Sequence, residues 1–219
     1  HKNKSNLAKD SGYSVIHVFD WDDIDKVVQL LRDRETVYAR KCEVIFVNEV
    51  DANKYLDTYH LQGTCRCQKF RLGLYYDNKL VSLMTFGKSR FNKNCEYELL
   101  RYCSHYNVVG GAEKLFKHFI DNYKPNSIVS YCDTSKFSGK VYDMLGFKYV
   151  KTNSPRKHWY SWKEKRHITD GLLLSQGYDR LFKENHGKGT SNEELILARG
   201  YLPVYDCGQS TYIWRSDNV

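Results

Sequence analysis

The chain has 219 residues, of which 41% are hydrophobic and 15% aromatic, and its formal net charge is +8. This length and apolar content are sufficient for a buried core and exclude a disordered chain. A run of about eighteen apolar residues is absent, which excludes a membrane-spanning helix. The seven cysteines show no zinc-type spacing, so we predict reduced thiols, no metal site and a cytoplasmic protein. The positive charge is equally compatible with a polyanionic partner and with simple solubility.

The first part of the chain predicts a helix, a strand and a second helix. Residues 1–11 favour a basic helix that ends at Gly12, residues 15–19 favour a strand, and residues 24–34 have helical apolar spacing. The chain begins at His1 rather than at Met, which we interpret as a fragment or a processed product.

This opening is similar to the last segment of the Vsr-like nucleases of phage homing endonucleases. The similarity is carried by His1, Lys4, Gly12, the strand at 16–19 and Trp21. It implies an endonuclease as parent protein, in a phage-infected bacterial cell, with the carboxylates that bind Mg²⁺ lying upstream. Without paired carboxylates nothing here positions a divalent ion, so the chain alone is not expected to cut DNA.

The middle of the chain predicts alternating strands and helices. A strand at 44–47 precedes a helix at 51–59 whose N-terminal cap lies near Asn48 or Asp51. Residues 70–76 and 80–86 then predict a β-hairpin around an Asp-Asn turn.

A glycine turn follows the next predicted strand, at 97–103. After Gly110 and Gly111 comes a helical run with apolar residues at Ala112, Leu115, Phe116 and Phe119. A strand, a glycine turn and a helix together present free N–H groups to an anion, typically a phosphate. The alternative is an ordinary turn from strand to helix. Further strands are predicted at 127–132 and 147–150, with a short helix from 138 between them.

This order of motifs resembles the acyl-CoA-binding half of the GNAT acyltransferases. The resemblance is carried by Asn107-x-x-Gly110-x-Ala112 and Tyr142-x-x-Leu145-Gly146-Phe147, with Asn107 where the family carries Gln or Arg. It implies that acetyl-CoA or a related acyl-CoA binds at Asn107, Gly110, Gly111 and Ala112. Residues 55–150 also resemble the phage Mom-type proteins, which modify adenine in DNA, through Glu98-Leu99-x-Arg101, Ser130-Tyr131-x-Asp133 and Gly139-x-x-Tyr142.

Five residues are the candidate catalytic groups that this resemblance implies. They are His60, Glu98, Arg101, Asp133 and Tyr142. Tyr142 would be the acid for a departing thiolate, and His60 or Glu98 the base for the incoming amine. Arg101 would pair with Glu98 or contact a phosphate. Each has a simpler alternative: core packing for Tyr142, a surface ion pair for Glu98 with Arg101, and a helix cap for Asp133.

Two basic segments could contact double-stranded DNA. Lys and Arg neutralise phosphates, and Trp can stack on unpaired bases. The candidate DNA-binding residues are Lys88, Arg90, Lys93, Arg156, Lys157, Trp159, Lys163, Lys165 and Arg166. The alternative for residues 159–162 is a strand whose alternate side chains face core and solvent.

The last residues predict a helix and a closing hairpin. Ser191-x-x-Glu194 has the pattern of a capping box for a helix at 192–199. Residues 201–205 and 211–214 read as two strands joined by a turn at 206–208.

The sequence as a whole predicts an α/β (α+β) protein with a GNAT-like mixed central sheet flanked by helices. Residues 1–38 would be a nuclease-like tail, 39–155 the GNAT-like domain and 156–219 a basic-aromatic extension. The favoured function is the DNA-binding C-terminal part of a phage homing endonuclease, on a scaffold that need not be catalytic. The alternative is a GNAT-like acyltransferase, or a Mom-like enzyme that modifies DNA adenine with an acyl-CoA-type donor.

Overall fold

The computed structural model describes residues 1–187 and 189–216, which divide into two compact units. The first, called the split unit, gathers three segments: His1–Asp22, Asp133–Phe137 and Asn153–Gln209. The second, called the sheet unit, consists of Asp23–Cys132, Ser138–Thr152 and the described residues from Ser210 on. The domain boundaries predicted after residues 38 and 155 stay predictions, because compactness alone does not show which segments fold independently.

The described residues form helices and strands in a mixed α/β arrangement. The helices are α1 Lys2–Asp10, α2 Ile24–Leu31, α3 Glu49–Tyr59, α4 Gly111–Tyr123, α5 Lys140–Met144, α6 Asp170–Gln176, α7 Tyr178–Phe182 and α8 Asn192–Ala198, with a 3₁₀ turn at Ala39–Lys41. The strands are β1 Thr36–Tyr38, β2 Glu43–Phe46, β3 Phe70–Tyr76, β4 Lys79–Lys88, β5 Tyr97–Ser104, β6 Asn107–Val109, β7 Ser127–Asp133, β8 Lys148–Thr152, β9 Lys157–Ser161, β10 Arg166–Thr169, β11 Leu202–Tyr205 and β12 Gln209–Arg215.

The sheet unit is built on a seven-stranded mixed sheet in the order β2-β3-β4-β5-β7-β12-β8. The pairs from β2 to β5 and the pair β8 with β12 are antiparallel, while β5 and β7 are parallel. Successive residues of β4 face opposite sides, so that Leu83 packs beneath α3 and Phe86 beneath α4. Phe119 of α4 is fully buried and stacks on Phe86 with ring centroids 3.7 Å apart. The predicted mixed sheet flanked by helices is therefore confirmed.

Two irregularities of β5 shape the middle of this sheet. Thr85 pairs with Arg101 and Phe86 with Leu99, so Leu100 is an extra residue that forms a β-bulge. On its other side β5 pairs with β7 only through Tyr97 and Glu98. Beyond Glu98 the two parallel strands part, and no strand among the described residues pairs with β5 on that side. The sheet therefore contains a wedge that widens toward the carboxyl ends of β5 and β7.

The split unit contains a smaller sheet in the order β10-β9-β11. One face of this sheet packs on α6, α7 and α8 around Trp159, which is fully buried. On the other face, Trp21 stacks on His167 at 4.3 Å and on His158 at 5.3 Å between ring centroids. The residues around Trp21 thereby cover the side of the sheet that the helices leave open.

Several local predictions are confirmed by hydrogen bonds and dihedral angles. The hairpin of β3 and β4 turns at Asp77 and Asn78, whose φ angles of 47° and 60° suit this tight turn. The Asn48 side chain caps α3, and Ser191 with Glu194 forms the predicted capping box of α8. These features depend on neighbouring residues alone, which is why the sequence predicts them. The loop predicted at 184–192 includes Lys188, which lies outside the described residues.

Two predicted elements are wrong. Residues 15–19 form no strand: His17 N donates to Ser135 O at 2.9 Å, but no ladder extends from that bond. The expected nuclease-like helix-strand-helix tail therefore has its two helices and lacks its strand. The predicted closing hairpin is also absent, because β11 pairs with β9 whereas β12 pairs with β8. Asn153 N donates to Gln209 O at 3.0 Å, so the chain continues past Asn153 instead of turning back.

A chain of three hydrogen-bonded side chains lies under Trp21 in the split unit. Asp206 Oδ2 contacts His158 Nε2 at 3.2 Å, and His158 Nδ1 contacts His167 Nε2 at 2.9 Å. Only one proton fits between the two imidazole rings. Burial, followed by the neighbouring His158, lowers the pKa of His167 to about 4.

This lowered pKa predicts that the protein loses stability in mild acid. An unfolded histidine takes up a proton near pH 6.5, whereas folded His167 stays neutral down to about pH 4. The contribution of His167 is therefore complete above about pH 6.5 and is lost as the pH falls toward 4, by up to about 3 kcal/mol. Urea unfolding at pH 7, 5.5 and 4.5 measures the free energy of unfolding. As the pH falls, this free energy should decrease less for His167→Gln than for wild type or the control His118→Gln. Equal declines in all three proteins would contradict this assignment.

Candidate active site

The candidate active site lies in the sheet unit, where β5 parts from β7. In a parallel pair that separates, the backbone groups that face the gap are available to a ligand. One of them is already used, since Ser130 Oγ donates to Leu99 O at 2.9 Å. Glu98 and Arg101 lie on β5 at this gap, and the Tyr142 hydroxyl on α5 reaches Tyr131 O of β7. Arg101 interacts electrostatically with both Glu98 and Tyr142. The structure thus brings together three of the five predicted catalytic residues.

Tyr142 is a partly buried residue of the short helix α5. Its ring stacks on Tyr212 at 4.8 Å between centroids, and its hydroxyl donates to Tyr131 O at 3.5 Å beside Ser130. The helix begins at Gly139, where an added Cβ would lie 2.1 Å from the Tyr212 hydroxyl. Burial raises the pKa of Tyr142 to about 12, so the hydroxyl keeps its proton at neutral pH. Tyr142 is therefore equipped to donate a proton and unsuited to accept one.

Glu98 is held by a different arginine from the one expected. The Arg90 side chain donates from Nη2 to Glu98 Oε1 at 2.6 Å and from Nε to Oε2 at 3.2 Å, and Arg90 N also donates to Oε2 at 3.2 Å. Glu98 is only 2% exposed, and the same bond raises the pKa of Arg90. The predicted pairing of Glu98 with Arg101 is therefore wrong. A carboxylate with both oxygens engaged is poorly placed to act as a base.

Arg101 instead binds backbone carbonyl groups. Its Nε donates to Gly63 O at 3.1 Å and its Nη1 to Leu100 O at 2.8 Å. The segment 61–68 lies tightly on the sheet here, because a Cβ on Gly87 would come within 2.3 Å of Cys67 O. Arg101 and this segment form one wall of the site on the α3 side of the sheet.

His60 ends α3 beside this wall. Its Nδ1 accepts the Gln62 N–H at 3.1 Å, so the neutral ring carries its proton on Nε2. Burial, and then the charge of Arg101, lowers the pKa of His60 to about 3. The predicted role of His60 as a general base is not supported, because its free nitrogen is a donor and its ring is a weak base.

Asp133 is in the split unit rather than with the other candidates. It ends β7, and its Oδ1 accepts hydrogen bonds from Ser135 N, at 2.9 Å, and from the Ser135 hydroxyl. The simpler alternative, a helix cap, is wrong, because a turn follows Asp133 and the next helix begins only at Lys140. The bonds to Ser135 stabilise that local turn.

The glycine turn is formed as predicted, with a short strand before it. Asn107 belongs to β6, which pairs with β1, and its Nδ2 donates to Thr36 Oγ1 at 3.0 Å. Gly110 begins α4 with φ of 75°, and a Cβ there would meet only Ala39 Cβ, at 3.7 Å. Gly111 is confined, because its Cβ would lie 2.9 Å from Val108 Cγ1. Ala112, in the first turn of α4, is buried.

This turn fits an anionic ligand such as a pyrophosphate. Among the described side chains none caps the N-terminus of α4, so the N–H groups of its first turn stay available. The space beside Gly110 admits a close approach to that backbone. The role of Asn107 differs from the expectation, since its side chain is used in joining β6 to β1.

The predicted DNA-binding residues have varied surroundings. Trp159 is fully buried and its Nε1 donates to Asp170 Oδ1 at 2.9 Å, so its ring is not offered to a base. Lys157 pairs with Asp170 and Glu193. Arg156 binds Gln209, and Arg166 lies over the Phe182 ring. Lys88, Lys93, Lys163 and Lys165 are exposed. DNA binding stays a prediction.

One contact of the candidate site was not predicted from the sequence. Arg90 was expected to bind DNA, and its link to Glu98 had no signal in the sequence, because the two lie eight residues apart across a loop.

Two further classes of function find no support among the described residues. No group of three or more His, Cys, Asp or Glu side chains in them is placed to hold a metal ion. None of the helices in that part of the chain is long and apolar enough to cross a membrane.

Comparison with known proteins finds similarity only to solved structures. No family model matches the chain, and no curated protein matches it. One similar structure is a Bacillus subtilis acetyltransferase in complex with CoA, with 9% identity and a TM-score of 0.44 over 80% of this chain and 99% of that one. Another is yncA of Salmonella typhimurium, a proposed acetyltransferase with its cofactor acetyl-CoA, with 10% identity and a TM-score of 0.48 over 82% and 96%. These values are too low to assign a shared activity.

Proposed function

We propose that the sheet unit is a GNAT-type acyltransferase, which moves an acyl group from an acyl-CoA-type thioester to an amine. The observation that carries the proposal is the wedge between β5 and β7 with the protonated Tyr142 beside it. The favoured sequence interpretation, a DNA-binding part of an endonuclease, is supported by net charge and exposed lysines alone. The wedge and the glycine turn favour the alternative.

The donor would be held by backbone groups. The N–H groups at the start of α4, beside Gly110, would bind its pyrophosphate, since the helix dipole and open N–H groups favour an anion. The backbone of β5 beyond Glu98 does not pair with β7, and its groups other than Leu99 O and Leu100 O would bind the amide-containing arm that connects the pyrophosphate to the thioester. A thioester supplies an activated acyl carbon and a thiolate leaving group.

The chain's own part in the reaction is positioning and proton donation. The amine nitrogen forms a bond to the acyl carbon, the carbon–sulfur bond breaks, and the Tyr142 hydroxyl would protonate the departing sulfur. The tyrosinate left behind would regain a proton from solvent water. The amine must lose a proton, and neither His60 nor Glu98 is arranged to take it. We therefore assign this proton to solvent water, with the amine arriving in its neutral form.

Titration calorimetry with acetyl-CoA tests the proposal. Wild type should bind saturably, and Gly110→Glu should weaken binding by at least about 100-fold, because a carboxylate would occupy the anion site and Glu is strained at this φ. Gly12→Glu is a matched control, since Gly12 also has a positive φ with open space around it and lies in the split unit. Absence of saturable binding by folded wild type would overturn the proposed function.

A further inference from the structure

Arg101 is a partly buried cation without a carboxylate partner among the described residues. It uses two of the five N–H groups of a guanidinium, both on backbone carbonyls. Both carboxylate oxygens of neighbouring Glu98 accept hydrogen bonds from Arg90. Two guanidinium groups thus face one carboxylate, and one positive charge is left unmatched. A partly buried charge is costly unless a counter-ion completes it.

The unused N–H groups of Arg101 are accessible. In the described chain, the buried side-chain atoms without a partner are Gln68 Oε1 and Thr85 Oγ1, and no guanidinium nitrogen is among them. Arg101 Nη2, which makes no bond there, therefore reaches solvent. Apart from Glu98, whose two oxygens are bonded to Arg90, the ionisable groups around Arg101 do not supply a negative charge. Burial raises the pKa values of the Cys65 thiol and of Tyr142, and His60 is neutral.

The position of Arg101 separates it from the proposed donor phosphates. Its Nε binds Gly63 in the segment that follows α3, so its side chain lies on the α3 face of the sheet. Helix α4, whose first turn would take the pyrophosphate, packs on the opposite face through Phe119 and Phe86. An anion at Arg101 therefore belongs to a molecule that approaches from the other side.

We infer that Arg101 binds an acidic group, a carboxylate or a phosphate, carried by the acceptor amine. The inference rests on the proposed acyltransferase function and names the class of acceptor for that site. The guanidinium fork suits two-point binding of either group. Bound in this way, the acceptor would direct its amine from the α3 face toward the gap beside Tyr142.

Matched amine pairs test the inference with acetyl-CoA as donor. We expect kcat/KM to be about 10- to 100-fold higher for phenylalanine than for phenethylamine, or for phosphoethanolamine than for ethanolamine. A larger difference in the phenylalanine pair identifies the bound group as a carboxylate, and a larger difference in the phosphoethanolamine pair identifies it as a phosphate. The preference should vanish in Arg101→Gln and survive in part in Arg101→Lys, which keeps the charge and loses the fork. A preference that Arg101→Gln leaves unchanged would overturn the inference.

A second measurement separates this inference from the proposed function. The Arg101 Nε–H resonance is followed by NMR while acetate or inorganic phosphate is added to the full chain. A saturable shift supports an anion site even if no amine is acylated, whereas acylation of amines with no shift removes Arg101 as the anchor. Arg71→Lys is the control for the resonance assignment, since the Arg71 guanidinium donates to Val47 O and Gln68 O and lies over the Phe46 ring.

Discussion

Replacing Tyr142 with phenylalanine should lower the rate of acyl transfer by about 10²- to 10⁴-fold, the usual contribution of a positioned general acid. The substitution removes one hydroxyl and keeps the ring that stacks on Tyr212 and contacts Phe147. The lost hydrogen bond to Tyr131 O is long, at 3.5 Å, so stability should change little. The measurement is kcat for acetyl transfer, with calorimetric binding of acetyl-CoA on the same protein.

The matched control for this experiment is Tyr149→Phe. Tyr149 is an exposed residue of the same unit, and its hydroxyl contacts only the Thr152 hydroxyl, at 3.0 Å. Its loss should leave both kcat and donor binding near wild-type values. Full activity in Tyr142→Phe would remove Tyr142 from the mechanism, while loss of donor binding would show a structural role instead.

Replacing Arg90 with alanine should destabilise the protein by about 2–4 kcal/mol, because it leaves the buried Glu98 carboxylate without its ion pair. The expected destabilisation is smaller than for a fully buried ion pair, since the Arg90 side chain is 35% exposed and Arg101 lies near Glu98. Urea unfolding at neutral pH measures the change in the free energy of unfolding.

Two companion variants make the Arg90 result specific. Lys88→Ala, an exposed cation just before the same loop, should change stability by no more than about 0.5 kcal/mol. Arg90→Ala combined with Glu98→Gln should recover part of the loss, since the unpaired charge is then gone. If Arg90→Ala were as mild as Lys88→Ala, the ion pair would be unimportant for folding. Arg90 would then be free for the DNA contact predicted for this loop.

Local features were predictable because their causes lie within a few residues. The capping box of Ser191 with Glu194, the cap at Asn48 and the hairpin turn at Asp77 and Asn78 all depend on neighbours in sequence. The apolar spacing that ends at Phe119 predicted the buried face of α4 in the same way. The presence of a glycine turn between a strand and a helix was predictable too.

Long-range pairing was not predictable from these patterns. Strand β12 could pair with any strand of matching polarity, and only the assembled sheet places it beside β8 instead of β11. The partner of Glu98 was equally open, because Arg90 and Arg101 are both close in sequence. The β-bulge at Leu100 and the bond from Arg101 to Gly63 decide in favour of Arg90.

The amino-acid sequence by itself determined the glycine turn and the buried face of the helix after it, since periodicity and turn chemistry are local properties. The resemblance to GNAT acyltransferases, read from short motifs, gave the class of fold and Tyr142 as the candidate acid. Only the tertiary structure decided that β5 and β7 part beyond Glu98, that His60 is a neutral donor, and that Arg101 keeps an unmatched charge. Those properties depend on burial and on partners distant in sequence, because desolvation and pairing fix the proton affinity and charge balance of a side chain.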